Sequence, residues 1–136
     1  MKNIAHITGS SSGIGKAIAE ILLERGWRVF GYSRRQTIHH SRYSHRSVDL
    51  SIPEAAGDID FSKELKDAQK VVLINNAGQT DPVKRLGALP EPELIKGIHL
   101  NLTAPIILMN SFLKIPTRPE MERIIINVST GAAKIR

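Results

Sequence analysis

The sequence contains no cysteine, and none of its apolar runs approaches the roughly 18 residues of a membrane-spanning helix. The first absence excludes disulfide bonds, thiolate catalysis and cysteine-ligated metal sites. The N-terminus has one lysine followed by a strand-like run, which is not the pattern of a signal peptide. With 41% hydrophobic residues among 136, the composition is typical of a globular chain. We therefore expect one cytoplasmic domain, residues 1–136, without a membrane partner or a metal site.

Acidic residues are also missing between Glu24 and Asp49, although the whole chain carries a net charge of +6. The same stretch is rich in basic residues, namely Arg25, Arg28, Arg34, Arg35, Arg42 and Arg46, with His39, His40 and His45. Such a stretch is compatible with a nucleic-acid surface, a solvated loop or a pocket for one phosphate. The last two are favoured, and we expect no nucleic-acid partner.

A glycine-rich turn follows the apolar run at residues 4–7, and its sequence is Thr8-Gly9-Ser10-Ser11-Ser12-Gly13-Ile14-Gly15. Apolar residues at helical spacing continue over residues 13–25, and Gly26 is placed to end that helix. A strand, a glycine turn and a helix together present backbone N–H groups to a phosphate. The glycines permit a tight turn, close approach of a pyrophosphate and close helix–strand packing. The serine hydroxyls either bind the phosphate or cap the helix, or do both.

Short apolar segments alternate with helical patterns along the rest of the chain. We predict buried strands over residues 3–8, 28–33, 70–75 and 123–129, and a weaker strand over 47–50. Helices are predicted over residues 13–25, 91–99 and 102–113, with a doubtful turn at 61–68. Pro105 either starts the last helix or bends a helix that runs through Asn101. This alternation predicts an α/β fold, a Rossmann-type doubly wound parallel sheet of order 3-2-1-4-5.

Five short motifs stand in a fixed order along the chain: residues 8–15, Asp49-Leu50, Asn75-Asn76-Ala77-Gly78, Asn101-Leu102 and Ile126-Asn127-Val128-Ser129. In that order they resemble the short-chain dehydrogenase/reductase superfamily. Pro82-Val83-Lys84-Arg85 and Gly131-Ala132-Ala133-Lys134 are similar to the sepiapterin reductase and benzil reductase branch. The resemblance implies hydride transfer between a nicotinamide and a carbonyl or alcohol carbon. It also implies a small-molecule carbonyl substrate and a homo-oligomer.

The end of the second predicted strand indicates which nicotinamide cofactor is bound. Dinucleotide-binding folds carry an acid there for the ribose 2′-hydroxyl, or an arginine nearby for a 2′-phosphate. In this chain Ser33 takes the place of the acid, and Arg34 and Arg35 follow it. Because a guanidinium pairs with phosphate through charge-assisted, bidentate bonds, we predict NADP. Arg34 is the preferred ligand, and Arg35 either assists or points to solvent.

The resemblance implies further cofactor contacts. Asp49 would accept a hydrogen bond from the adenine amino group, with the Leu50 backbone beside it. The alternative role of Asp49 is a simple strand-end cap. The remaining cofactor-lining positions implied by the motifs are Asn76, Ala77, Gly78 and Val128. The asparagine pair is also expected to tie neighbouring strands together.

The resemblance implies a catalytic asparagine, serine, tyrosine and lysine. Asn101 matches the asparagine, and the serine register falls on Thr130, with Ser129 before it as the other candidate. Neither Tyr32 nor Tyr43 has a lysine four residues later. We therefore expect the N-terminal, cofactor-binding part of such an enzyme, weakly active or inactive alone. The alternative is a non-catalytic NADP-binding module that acts through association with a partner.

An association surface is suggested by the last predicted helix. Its outer face is expected to be rich in uncovered apolar side chains, namely Ile106, Ile107, Leu108, Met109 and Phe112. Exposed apolar stripes of this kind promote association or aggregation.

Overall fold

The computed structural model describes residues 2–78 and 87–129. Within these residues five strands form one parallel sheet: β1 (Lys2–Thr8), β2 (Arg28–Ser33), β3 (Tyr43–Ser47), β4 (Ala68–Asn75) and β5 (Glu122–Asn127). The order is β3-β2-β1-β4-β5, which confirms the predicted Rossmann-type sheet. The helices are α1 (Gly13–Glu24), α2 (Glu91–Ile98) and α3 (Ala104–Phe112), with a 3₁₀ turn at Ala56–Asp58 and a π-helical turn at His99–Thr103.

The central strand β1 is buried on both faces. Ile4 packs in one cluster with Phe112 of α3, whereas Ala5 and Ile7 pack in another with Leu23 of α1. Successive side chains of a strand point to opposite faces, so this alternation places one helical layer on each side of the sheet. Each large side chain that is fully buried in this way contributes roughly 1.5–3 kcal/mol.

The weaker strand predicted over residues 47–50 was misplaced. The strand β3 is Tyr43–Ser47, in parallel register with β2 from Val29↔Tyr43 to Ser33↔Ser47. Its sequence Tyr-Ser-His-Arg-Ser has no run of apolar residues because β3 is an outer strand whose last two residues are exposed. Only Tyr43 is buried, in the cluster beneath α1. The doubtful turn predicted at 61–68 corresponds to turns at residues 63–67 that lead into β4, which begins at Ala68.

The strand predicted over residues 123–129 exists as β5, but the prediction that it is buried is wrong. Its residues range from half-buried to exposed, and the Ile126 side chain is 46% exposed. Among the described residues β5 is the outermost strand on its side of the sheet and pairs with β4 alone. It therefore lacks the second neighbour that buries β1.

The helix from α2 to α3 is continuous through the π-helical turn, since Ile98 and Ala104 both keep helical backbone angles. Of the two alternatives for Pro105, the structure favours a helix that runs through Asn101 rather than a helix that starts anew. Pro105 has no N–H to donate to the Asn101 carbonyl, and the π-helical turn accommodates that loss. The expected uncovered stripe needs correction: Leu108 and Phe112 are buried in the core, whereas Ile106 is exposed.

Candidate functional site

A cleft of about 460 Å³ lies where the carboxyl ends of β1, β2 and β4 meet. In a doubly wound sheet this end of the strands is the usual place for a ligand. Its walls come from four segments of the chain and from the helix α2 and the turn after it: Gly9, Ser11 and Ser12; Tyr32, Ser33 and Arg34; Val48, Asp49, Leu50 and Ser51; Asn76, Ala77 and Gly78; Lys96 and Leu100. Most of the residues predicted to bind a cofactor are therefore brought together.

The glycine turn, residues 9–15, needs glycine at three positions for different reasons. Gly9 has a φ of +67°, and a Cβ there would lie 3.0 Å from the Cα of Ala77. A Cβ on Gly15 would overlap the Gly9 carbonyl and the Asn76 side-chain amide, so α1 could not pack as closely on β1. Gly13 has open space where a Cβ would lie, but its φ of +56° is in the left-handed region that favours glycine, and the residue after it, Ile14, is exposed.

The three serines of the turn have different surroundings. Ser11 and Ser12 line the cleft, and Ser12 is the N-cap residue of α1 without a side-chain capping bond. The first-turn N–H groups of α1 are thus left without a side-chain cap, as an anion-binding helix N-terminus requires. Ser10 differs, because its side chain is completely buried and its hydroxyl pairs with the Tyr43 hydroxyl at 2.9 Å. Its predicted role at a phosphate or as a helix cap does not fit this orientation; Ser10 supports the turn from inside.

Hydrogen bonds fix the glycine turn to the end of β4. The Thr8 hydroxyl accepts hydrogen bonds from the backbone N–H groups of Asn76 and Ala77, each at 3.0 Å. The Asn76 side chain donates to the Gly9 carbonyl at 3.2 Å. The preceding residue, Asn75, donates to Asn127 of β5 at 2.9 Å. These contacts confirm that the asparagine pair ties neighbouring strands together.

Sequence reasoning missed Thr8 as the residue that receives two of these bonds. A hydroxyl at the end of the first strand, beside the asparagine motif of a neighbouring strand, was the available signal. Thr8 is almost completely buried, so its two N–H partners have no competing water.

The loop after β2 places Arg34 on the rim of the cleft. The Ser47 hydroxyl donates to the Arg34 carbonyl at 3.0 Å, and the Ser33 hydroxyl donates to the Arg35 carbonyl at 2.8 Å. Both arginine side chains are exposed, but only Arg34 lines the cleft. No salt bridge among the described residues involves Arg34.

Asp49 lies on the wall of the cleft next to Leu50. Its Oδ1 accepts from the Ser51 hydroxyl at 2.6 Å and from the Ser51 backbone N–H at 2.9 Å. The Ser51 hydroxyl bond is the main cause that lowers the pKa of the Asp49 carboxyl, and the charges of Lys96 and Arg34 add to it. The carboxylate is therefore ionised at neutral pH. Asp49 caps a turn that follows β3 rather than the strand itself.

Lys96 was also missed from the sequence. It lies on α2, four residues before Leu100, and both side chains line the cleft. Residues four apart share a helix face, so this face of α2 and the π-helical turn is directed at the ligand space. A lone lysine in a helical pattern carries no sign of this role without the tertiary arrangement.

The predicted catalytic residues are partly described. Asn101 lies on the π-helical turn, and its Oδ1 is 3.2 Å from the point that a Cβ on Gly78 would occupy. It therefore sits directly beside the end of β4. Val128 donates from its backbone to the Asn75 carbonyl at 2.9 Å, and Ser129 follows it and is exposed. Thr130, Pro82-Val83-Lys84-Arg85 and Gly131-Ala132-Ala133-Lys134 lie outside the described residues.

Comparisons with known proteins agree with this geometry. A model of the short chain dehydrogenase family matches residues 3–136. A benzil reductase of Bacillus subtilis that forms (S)-benzoin is 36% identical, over 94% of this chain and 55% of the relative. A sepiapterin reductase of Xenopus tropicalis is 30% identical, over 93% of this chain and 57% of the relative. A solved short-chain dehydrogenase/reductase of Burkholderia vietnamiensis has a TM-score of 0.88 at 29% identity, over 98% of this chain and 68% of that one.

The chain thus spans just over half the length of these two curated relatives. Its similarity to both confirms the resemblance to the sepiapterin reductase and benzil reductase branch. In the described part of the chain, every helix is too short or too polar to cross a bilayer.

Proposed function

The chain belongs to the short-chain dehydrogenase family, and we propose that it forms the NADP-binding part of a carbonyl reductase. The observation that carries this proposal is the position of Arg34. It stands on the rim of the cleft directly after Ser33, where an NAD-binding fold has an acidic residue. A 2′-phosphate at this point meets a guanidinium instead of a carboxylate.

The cleft offers binding groups for the diphosphate and for the adenine of a dinucleotide. The absence of Cβ atoms at Gly9 and Gly15 keeps the turn tight against Asn76 and Ala77, and the N-terminus of α1 then faces the diphosphate. Asp49 is ionised and has Oδ2 available as an acceptor for the adenine amino group, because both Ser51 bonds use Oδ1. When bound, the cofactor supplies the hydride for the carbonyl carbon.

For the chemical step we propose roles for three polar residues, Asn101, Ser129 and Thr130. Asn101 supports proton transfer from the π-helical turn, and the hydroxyl of Thr130 or Ser129 holds the substrate oxygen. A general acid contributes on the order of 10² to 10⁴ in rate. Since neither tyrosine of these 136 residues is followed four positions later by a lysine, we expect little or no turnover of a diketone by the isolated chain.

Cofactor titrations test the proposal with a matched pair of variants. Arg34 and Arg35 are adjacent and both exposed, but only Arg34 lines the cleft. A hydrogen bond to a charged group contributes about 1.5–3 kcal/mol, which corresponds to roughly 10- to 150-fold in affinity. We expect Arg34→Ser to weaken NADPH binding by at least tenfold and to leave NADH binding unchanged, while Arg35→Ser has little effect on either. Equal losses in the two variants, or a wild-type chain that binds neither cofactor, would refute the proposal.

A second candidate is an NADP-binding module whose output is association with a partner or with a second copy. An apolar stripe on the continuous helix favours it: Ile95, Ile98, Leu102 and Ile106 recur at helical spacing and are 52–60% exposed. Light scattering of the purified chain, with and without NADPH, tests this function. A monodisperse monomer under both conditions argues against it.

A further inference from the structure

The loop of residues 34–42, which joins β2 to β3, is attached to the glycine turn by a short hydrogen bond. The Thr37 hydroxyl donates to the Ser11 carbonyl at 2.6 Å, and this contact is partly buried. Ser11 lines the cleft on the side of the turn, and Arg34 lines it three residues before Thr37. The bond therefore joins the loop that carries Arg34 to the glycine turn, and both of these segments form walls of the cleft.

A second contact holds the same two segments together from inside the fold. Tyr43, the first residue of β3, reaches Ser10 with its hydroxyl at 2.9 Å, and both side chains are buried. The two hydroxyls fill the space next to Gly31 so closely that a Cβ on that glycine would overlap the Tyr43 hydroxyl. Ile38 is buried between these contacts, in the cluster beneath α1. The loop is thus packed at its middle and bonded on both sides of Ile38.

We propose that Thr37 is a positioning residue for cofactor selectivity, because its bond to Ser11 sets the distance between the Arg34 guanidinium and the glycine turn. This inference rests on the proposed NADP-binding function. A ligand that carries both a diphosphate and a 2′-phosphate needs the two binding elements at one fixed separation. A ligand that uses only one of them is indifferent to that separation.

The physical basis is preorganisation. Loop ordering that is already present before binding does not have to be supplied by the ligand contacts. Without the Thr37 hydroxyl, the loop and the turn must be brought into register by the ligand itself. The loss then appears only for a ligand that spans both. A neutral hydrogen bond of this kind contributes about 0.5–1.5 kcal/mol, or roughly 2- to 13-fold in affinity.

Three probes separate this role from a merely structural one. NADP⁺ uses both elements, NAD⁺ uses the glycine turn without the 2′-phosphate contact, and 2′-AMP uses the arginine without the diphosphate contact. In calorimetric titrations we expect Thr37→Val to weaken NADP⁺ binding about three- to tenfold and to change NAD⁺ and 2′-AMP binding by less than twofold. Thr37→Ser keeps the hydroxyl and is expected to bind NADP⁺ like the wild type. The matched control is Thr117→Val, the same substitution at an exposed position in the loop before β5.

Each outcome is decisive. Equal weakening of all three ligands by Thr37→Val, or no weakening of NADP⁺, overturns the positioning role. Failure of Thr37→Ser to retain NADP⁺ affinity overturns it as well, and this test stands even where Thr37→Val does not fold by circular dichroism. If the wild-type chain does not bind NADP⁺, the proposed function itself is refuted. That single measurement separates failure of the proposed function from failure of the positioning role of Thr37.

Discussion

His6, on the central strand, is expected to make the stability of this fold depend on pH in a range where most side chains do not titrate. It is completely buried, with its ring stacked on Phe30 at 5.0 Å between centroids and in edge contact with Phe61. Nδ1 pairs with the Tyr32 hydroxyl at 2.8 Å. Burial lowers the pKa of the His6 imidazole to about 3; the Asp60 carboxylate opposes this effect and the Arg28 charge adds to it.

The sign and size of the effect follow from the difference between the folded and unfolded pKa values. The unfolded imidazole has a pKa of 6.5 and takes up a proton below that pH, whereas the folded one does so only near pH 3. Unfolding therefore becomes easier as the pH falls through 6.5, and the stability present above that pH is lost progressively towards pH 3. For the cited shift, the loss between pH 7.5 and pH 5 is about 2 kcal/mol.

Urea unfolding at several pH values measures this loss directly, and His6→Phe is the control. A phenyl ring keeps the aromatic packing and removes the titration. The variant leaves the Tyr32 hydroxyl without its partner, which changes its stability by the same amount at every pH of the range, so only the slopes are compared. Hydrogen bonds from the Ser51 and Ser62 side chains are the main cause that lowers the pKa values of Asp49 and Asp60. The stability that these two carboxylates contribute is therefore lost only below about pH 4, outside the measured range. An unchanged slope between pH 7.5 and 5 in His6→Phe would refute the reasoning.

Two further substitutions, and a control at Gly97, test the packing of the site. Gly15→Ala places a methyl group against the Gly9 carbonyl and the Asn76 amide. We therefore expect the free energy of unfolding in urea to fall by about 1–3 kcal/mol and NADPH binding to weaken. The control is Gly97→Ala, in open space on α2, which should instead raise the free energy of unfolding by roughly 0.5–1 kcal/mol. Tyr43→Phe leaves the buried Ser10 hydroxyl without the partner seen in the structure, and the expected cost is about 1–3 kcal/mol at an unchanged urea m-value. A midpoint within error of the wild type in either core variant contradicts the assigned contacts.

The strands around the glycine turn, and the turn itself, could be predicted because their signals are local, and the sheet order followed from the topology of doubly wound folds. Apolar segments alternate with helical ones, and the turn residues stand directly between β1 and α1. Arg34 was predicted for the same reason, since it follows the last residue of β2. Where a segment buries one face against an element close to it in the sequence, the spacing of its apolar residues indicates that burial.

Several contacts between segments far apart in the sequence could not be predicted. The strand β3 has one buried side chain, Tyr43, and its pairing with β2 is set by that side chain rather than by an apolar pattern. The orientation of Ser10 depends on this same residue. Lys96 lines the cleft together with Ser33 at the end of β2 and Asn76 after β4, which are far from it in the sequence. None of these facts is encoded within a window of a few residues.

Besides the contacts of Thr37 and Tyr43 that join them, the two binding elements of the cleft are anchored to different strands, and this predicts an order of failure. The glycine turn is fixed to the centre of the sheet through Thr8 and the end of β4. The Arg34 backbone is fixed to the outer strand β3 by the Ser47 hydroxyl. Outer strands open at lower free energy than central ones, because they have fewer buried contacts. Mild urea should therefore abolish the preference for NADP⁺ over NAD⁺ before it abolishes the binding of NAD⁺, and simultaneous loss of both would contradict this division.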